Sequence, residues 1–331
     1  MRKTFLPITR SGIAAAMAAL PVIVSAQGAD RYPSRPISVV IPFAPGGSTD
    51  NEARLYTDKV SRGLGQSLVF DYRAGAASSI GVAHALKAEP DGYTLLITNA
   101  GITVFPNFYP QLNAQVIKTL VPITELSNRS TAMLISPKAL PNVNSVKDLI
   151  AHAKTHPGAL YCNTAGAGGI THTVCASMSL SMDIPITPVH YKGVALGQID
   201  LVAGRTQLSG GTLFQAMPQI RRGALRAIAV MGRERSSLMP DLPTSYEQGV
   251  KIDYPSWLGA YAPPGTPSAI IQKLNSEFVK AVKSPDVVKH LEKQGSIAIG
   301  SSPAEFAKKM ESELAYWRDI VARAGITIDT Q

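Results

Sequence analysis

Cysteine is almost missing from this chain: 331 residues hold two, Cys162 and Cys175. Two cysteines with no neighbouring ligand set do not make a zinc site. Aromatic residues are 6% and charged residues 17% of the chain, and the basic residues are scattered rather than interleaved with aromatics. Nucleic acid is therefore set aside as a partner. Residues 27–331 lack any apolar run long enough to cross a bilayer, which takes about 20 residues. There is no G-x-S-x-G elbow, no P-loop and no H-E-x-x-H. These absences leave a chain with no membrane span beyond residue 26 and no recognisable catalytic motif.

Residues 1–26 read as a secretory signal peptide. Arg2, Lys3 and Arg10 form a positive start, residues 12–24 a short apolar run, and Val24, Ser25 and Ala26 a small-residue site for cleavage after Ala26. Removing those three basic residues from 32 leaves 29 against 23 acidic, a net of about +6. This modest excess suits an anionic ligand without requiring one. Export places the two cysteines in an oxidising compartment, where they either form a disulfide or pack as two buried thiols.

Short runs rich in Val, Ile and Leu alternate with helical patterns, the mark of α/β architecture. Strands are predicted at Ile37–Ile41, 67–71, 94–98, 132–136, Tyr161–Thr164, 186–190, 207–210, 227–231 and 258–262. Caps announce several helices: Ser145 with Asp148, Thr266 before Pro267, and Ser302 with Pro303 and Glu305. The last carries Phe306, Met310, Leu314, Trp317 and Val321 at core spacing and stops at Gly325. The length fits two domains with no linker, so the chain crosses between them on strands. The expected division is 1–26 leader, 27–126 with 250–331 as lobe 1, and 127–249 as lobe 2, with a ligand cleft between the lobes.

The most informative stretch is 42–50, PFAPGGSTD, between a strand and a helix. A helix start leaves N–H groups unpaired and carries partial positive charge, so it can hold an anion. Gly46 and Gly47 allow a sharp turn and a close approach to the main chain. Ser48 and Thr49 add hydroxyls. Thr49 with Glu52 is equally a capping box, which starts helices in proteins that bind nothing.

The same logic returns at 161–172, where Ala165, Gly166, Gly168 and Gly169 precede a helix and His172 stands inside its start. GAGGIT is not a complete dinucleotide fingerprint. Further polar strand ends carry Ser78 and Ser79, Tyr191 and Lys192, and Ser209 to Thr212. Ligands of open α/β sheets bind at such carboxyl ends. His152 and His156 are four apart, but a helix end explains them better than a metal does.

Together these pieces resemble the extracytoplasmic solute receptors of tripartite tricarboxylate transporters, the TctC or Bug family. The resemblance rests on YPSRPISVVIPFAPGGSTD at 32–50, RAGAASSIGVAHALKAEPDGYTLLITN at 73–99, VHYKGVALGQIDLVAGR at 189–205, RRGALRAIAVMGRERSSLMPDLPTSYEQG at 221–249 and APPGTP at 262–267. It implies a two-lobed periplasmic binding protein of the type II kind, each lobe a mostly parallel sheet flanked by helices. Such a receptor closes on a small organic carboxylate and delivers it to a membrane permease, as a monomer, without enzymatic activity or cofactor. Carried onto this chain, the carboxylate loop is Gly46, Gly47, Ser48, Thr49 and Asp50, covered by Phe43. The second lobe contributes 165–169, Tyr191 and the segment Ser209–Thr212, including Gly211, and His172 joins them from its place in the second glycine-rich loop. Ser78, Thr98 and Asn99 complete the candidate set.

Two departures matter. Gly75 to Ser79 stand where the family often reads Gly-Ala-Gly-Gly-Asn, and Gly211 and Thr212 stand where it often has Asp-Asn. Losing that Asp removes a partner for a ligand amino group, which implies a plain carboxylate, with room for a bulkier or aromatic acid. The competing readings are a ligand-presenting sensory receptor, an exported hydrolase using Ser48 or Ser78 with His172, and a receptor fold without a working pocket.

Overall fold

A computed structural model describes residues 32–75 and 78–327. The leader and its cleavage site, with Ala76 and Ala77, lie outside the described residues. The strands are β1 (Ile37–Ile41), β2 (Leu68–Tyr72), β3 (Thr94–Asn99), β4 (Val121–Arg129), β5 (Thr131–Ile135), β6 (Tyr161–Thr164), β7 (Thr187–His190), β8 (Leu208–Thr212), β9 (Arg226–Val230), β10 (Trp257–Ala262) and β11 (Ser296–Ala298). They form a six-stranded sheet ordered β11-β4-β10-β3-β1-β2 and a five-stranded sheet ordered β7-β6-β8-β5-β9. β1 pairs in parallel with β2 and β3, and β6 with β7 and β8, while β10, β11 and β5 run against their neighbours. This is the expected α/β, two-sheet architecture, but the sheets are mixed rather than mostly parallel, because β4, β5, β10 and β11 pair antiparallel with their neighbours.

The chain changes sheets at one residue. β4 stays in the first sheet through Arg129 and β5 opens the second at Thr131, so the changeover is Ser130 rather than 126–127. It returns through residues 231–256. Backbone and side-chain bonds lash the two crossings together: Met231 N–H donates to the Thr131 carbonyl at 2.9 Å, and Thr131 Oγ1 donates to the Tyr254 carbonyl at 3.0 Å.

The helices are α1 (Ser48–Leu64), α2 (Ser79–Leu86), α3 (Ala114–Ile117), α4 (Val146–Thr155), α5 (Ile170–Met182), α6 (Val194–Ala203), α7 (Leu213–Arg221), α8 (Ser268–Val282), α9 (Pro285–Lys293) and α10 (Pro303–Ala324). α10 has the predicted capping box at Ser302 and Glu305 and ends on Gly325 at φ 60°. Its apolar stripe serves two cores. Phe306, Met310 and Leu314 pack with Leu96, Trp257 and Tyr261 of the first sheet. Trp317 and Ile320 pack with Met133, Val174 and Met178. Ser145 caps α4 as expected. Thr266 does not cap α8: Pro267 is the N-cap, and the Thr266 hydroxyl donates to the Pro263 carbonyl at 2.9 Å. Among the described residues no helix is long and apolar enough to cross a membrane.

Candidate functional site

β1 delivers the chain to the first glycine bend. Gly46 takes φ 80°, and Gly47, extended at φ −73°, is the N-cap of α1 with no side-chain cap bond. The expected Thr49–Glu52 capping box is therefore not formed. Glu52 turns away and accepts from Tyr56 Oη at 2.8 Å, from Ser127 Oγ and from Arg129. The N–H groups of Ser48, Thr49 and Asp50 have no acceptor among the described residues, which leaves the positive end of α1 open.

Asp50 stiffens this bend rather than standing free. Its carboxylate accepts from Gly46 N–H at 2.7 Å and from Tyr72 Oη at 2.8 Å, and pairs with Arg54 at 3.1 Å. Burial pushes its pKa up, but those hydrogen bonds and the Arg54 charge win and hold it below the ordinary aspartate range. Gly46 N–H is spent on Asp50, so the open donors lie from Ser48 onward. Phe43 sits half-buried just before the bend, Ser48 is exposed and Thr49 is buried.

The second bend follows β6. Gly166 and Gly168 take φ 138° and 70°, and Gly169 is the N-cap of α5, again with no side-chain cap. Ala165 N–H donates to Thr171 Oγ1 at 2.9 Å, and Gly168 N–H to His172 Nδ1 at 3.1 Å. Because Nδ1 accepts, the proton of neutral His172 sits on Nε2. Burial, and then the nearby His190, lower its pKa to about 4. The two rings meet edge to face at 4.6 Å, and His190 Nδ1 contacts Thr164 Oγ1 at 2.7 Å. Behind the bend a Cys162–Cys175 disulfide, Cα atoms 6.1 Å apart, ties β6 to α5.

The other candidates are placed as follows. Ser78 is buried at φ 79° and is the N-cap of α2 without a side-chain cap bond. The Thr98 hydroxyl is buried without a partner among the described residues. Asn99 Oδ1 accepts from Gly101 N–H at 3.0 Å. Tyr191 Oη donates to Asp200 at 2.7 Å; burial first, then that bond, push its pKa up to about 12. Gly211 lies in β8, and Thr212 Oγ1 donates to Gln215 Oε1 at 2.8 Å. Among the described residues His172 makes no hydrogen bond to Ser48 or Ser78, and no group of three or more metal-ligating side chains exists. His152 and His156 stack at 4.3 Å at the end of α4.

One pocket of about 210 Å³ draws on both sheets. One face of α1 supplies Ser48, Asn51, Glu52 and Leu55; the changeover supplies Arg129 and Ser130; the end of β8 and start of α7 supply Thr212, Phe214 and Gln215; and His290, Gln294 and Ser296 close it. Ser48 and Thr212 are the two predicted residues that share it; Phe43, 165–169 and Tyr191 do not line it. A second cavity, of about 600 Å³, shares Arg129 and Ser130 and runs past Met231, Tyr254, Glu313 and Tyr316, but none of the predicted site residues lines it. Sequence reasoning missed Arg129, Phe214 and Ser296. The available signal was indirect: a chain that crosses between lobes on strands puts its crossing residues beside the cleft.

Comparison with known proteins agrees with this architecture. Residues 52–326 match the family described as tripartite tricarboxylate transporter family receptor, a match that begins just after the first bend. The Bordetella pertussis protein BugT is 32% identical over 317 residues, 95% of this chain and 96% of BugT. A solved structure described as a periplasmic transporter is 36% identical, covers 90% of this chain and all of its own, and superposes with a TM-score of 0.75. An R. palustris protein solved with adipate is 31% identical, with coverage of 89% and 99% and a TM-score of 0.74. MatC from Rhodopseudomonas palustris, with bound malate, is 27% identical, with coverage of 88% and 100% and a TM-score of 0.72. With its fold and most of its length accounted for in this way, the chain belongs to the receptor family of the tripartite tricarboxylate transporters.

Proposed function

We propose that this chain is exported to the periplasm, cut after Ala26, and there captures a small organic carboxylate between one lobe built on the first sheet and one built on the second, which meet at Ser130 and at the return crossing 231–256. It then hands the acid to the membrane permease of a tripartite transporter, acting as a monomer, without catalysis and without a cofactor. The observation that carries this reading is the pair of helix starts, at Gly47 and Gly169, that no side chain caps. Each follows a strand end in a different sheet. Open amides and the helix dipole at such ends favour an anion without a net positive side chain. The dicarboxylates held by the R. palustris relatives support the ligand class. The candidate contacts are Ser48 and Thr49 from the first bend and Gly169 and His172 Nε2–H from the second, since Gly168 N–H is already spent on His172 Nδ1, with the lobes hinging at Ser130 and the return crossing.

Native mass spectrometry of freshly purified protein, followed by calorimetric titration with citrate, succinate, terephthalate and glutamate, tests the proposal. Tightest binding of glutamate contradicts the preference for a plain acid that Gly211 implies. Turnover of a candidate ester contradicts the absence of catalysis.

A further inference from the structure

Resting on the carboxylate reading above, we infer that Arg129 and Ser296 form a second acid-binding subsite, which makes the receptor discriminate between acids with two carboxylates and acids with one. Arg129 and Ser296 are direct partners across the β4–β11 ladder. Directly opposed residues point to the same face of a sheet with neighbouring side chains. Both line the pocket that borders α1.

Arg129 donates one N–H to Glu52, and its remaining guanidinium donors have no partner among the described residues. Its side chain is 22% exposed, so the fork is reachable. The Ser296 hydroxyl is buried and also unpartnered. A buried hydroxyl that has given up water without gaining a partner is stabilised by any acceptor that reaches it. A guanidinium edge beside such a hydroxyl matches the two oxygens of a carboxylate. Glu52 is the one acidic residue lining the pocket. Its charge is already met by Tyr56, Ser127 and Arg129, so it does not bar an incoming anion.

The spacing points to the second acid group. Ser48 and Glu52 stand four residues apart on the pocket face of α1, about 6 Å along the axis. The open start of α1 is at one level and the Arg129 edge, held by Glu52, is at the other. An acid with a carboxylate at each end spans that distance, and Leu55 and the exposed ring of Phe214 offer apolar cover for the chain between.

The test pairs each dicarboxylate with the monocarboxylate of the same skeleton: succinate with butyrate, adipate with hexanoate, terephthalate with benzoate. Calorimetry on the full mature protein is expected to show at least one diacid binding tenfold or more tighter than its partner. Arg129→Lys keeps a cation beside Glu52 but loses the fork, and should weaken that diacid about tenfold while leaving the monoacid unchanged. Ser296→Ala should weaken the diacid several-fold, leave the monoacid unchanged, and cost no thermal stability, since the lost hydroxyl had no partner; it decides the matter if the Arg129 variant does not fold. Equal binding of every pair, or equal losses for diacid and monoacid in Ser296→Ala, overturns the subsite while leaving the carboxylate receptor standing. Binding of no acid at all overturns both.

Discussion

The bend at 46–50 is held by charge, whereas the bend at 165–169 is held by neutral groups. Behind the first, one carboxylate gathers Gly46 N–H, Tyr72 and Arg54. Behind the second, a neutral imidazole and two threonine hydroxyls take the loop amides, and a disulfide replaces the ion pair. Both supports leave the helix start itself uncapped. The contrast teaches that an uncapped helix start does not depend on one kind of scaffold. Loop amides must be pinned, and either a charged acceptor or neutral ones will do so, but the two respond differently to acid and to reductant.

Reduction separates the two bends most strongly. Replacing both Cys162 and Cys175 with Ala should cost about 3 kcal/mol, given a 13-residue separation, and lower the melting temperature by roughly 5–10 °C. Calorimetry should find that a reductant reproduces this in the native protein but not in the variant. Asp50→Ala is the matching blow to the first bend. It frees Gly46 N–H and takes the carboxylate from Arg54 and Tyr72, which keep their hydrogen bond to each other, and should cost about 2 kcal/mol by chemical denaturation whether or not the disulfide is reduced.

Acid should then loosen the second bend before the first. Unfolded His172 binds a proton near its ordinary 6.5, whereas the folded ring resists protonation down to about 4. The unfolded chain therefore holds more protons across that window, and stability falls as pH drops from about 6.5 to about 4, by about 2 kcal/mol. Asp50, held below its ordinary value, keeps its contribution until the pH falls into the ordinary aspartate range and loses it progressively from there downward. A stability profile against pH that stays flat between 6.5 and 4, or one that His172→Gln leaves unchanged, breaks this assignment.

The smallest stability effect and a clear functional one come from capping the open ends. Gly47 has φ −73° and Gly169 φ −85°, and an added Cβ meets its nearest atom at 3.4 Å and 3.8 Å. Asp fits either place, caps the helix and should add up to about 1 kcal/mol of stability. It also puts a carboxylate where the ligand's own would sit, so affinity should fall at least tenfold. A variant that melts higher and still binds fully shows that its bend does not hold the acid.

Much of the fold was legible because its signals are local. Five-residue apolar runs such as Ile37–Ile41, the capping box at Ser302 and the Gly325 stop depend on neighbours within one turn or one strand. β4 was not legible. Its Thr124, Glu125 and Ser127 look like surface residues, yet they are buried because Ser301, Lys309 and Glu52 reach them from distant segments. Missing β4 hid Arg129. The two glycine bends were legible for the same local reason that the strands were. The failures at Thr49 and Thr266 have separate causes: Thr49 lies inside α1, whose N-cap is Gly47, and its partner Glu52 is taken by Tyr56, Ser127 and Arg129, while the Thr266 hydroxyl donates to the Pro263 carbonyl.

The sequence by itself determined the alternation of strands and helices, the two turns that only glycine takes easily, and membership in a receptor family, because each is written in short-range pattern or in ordered motifs. The tertiary structure alone decided that Asp50 supports its loop, that His172 stays neutral, and that Arg129 meets Ser296 beside α1. Those outcomes depend on burial and on partners far away in the chain, and neither quantity is present until the two sheets have packed.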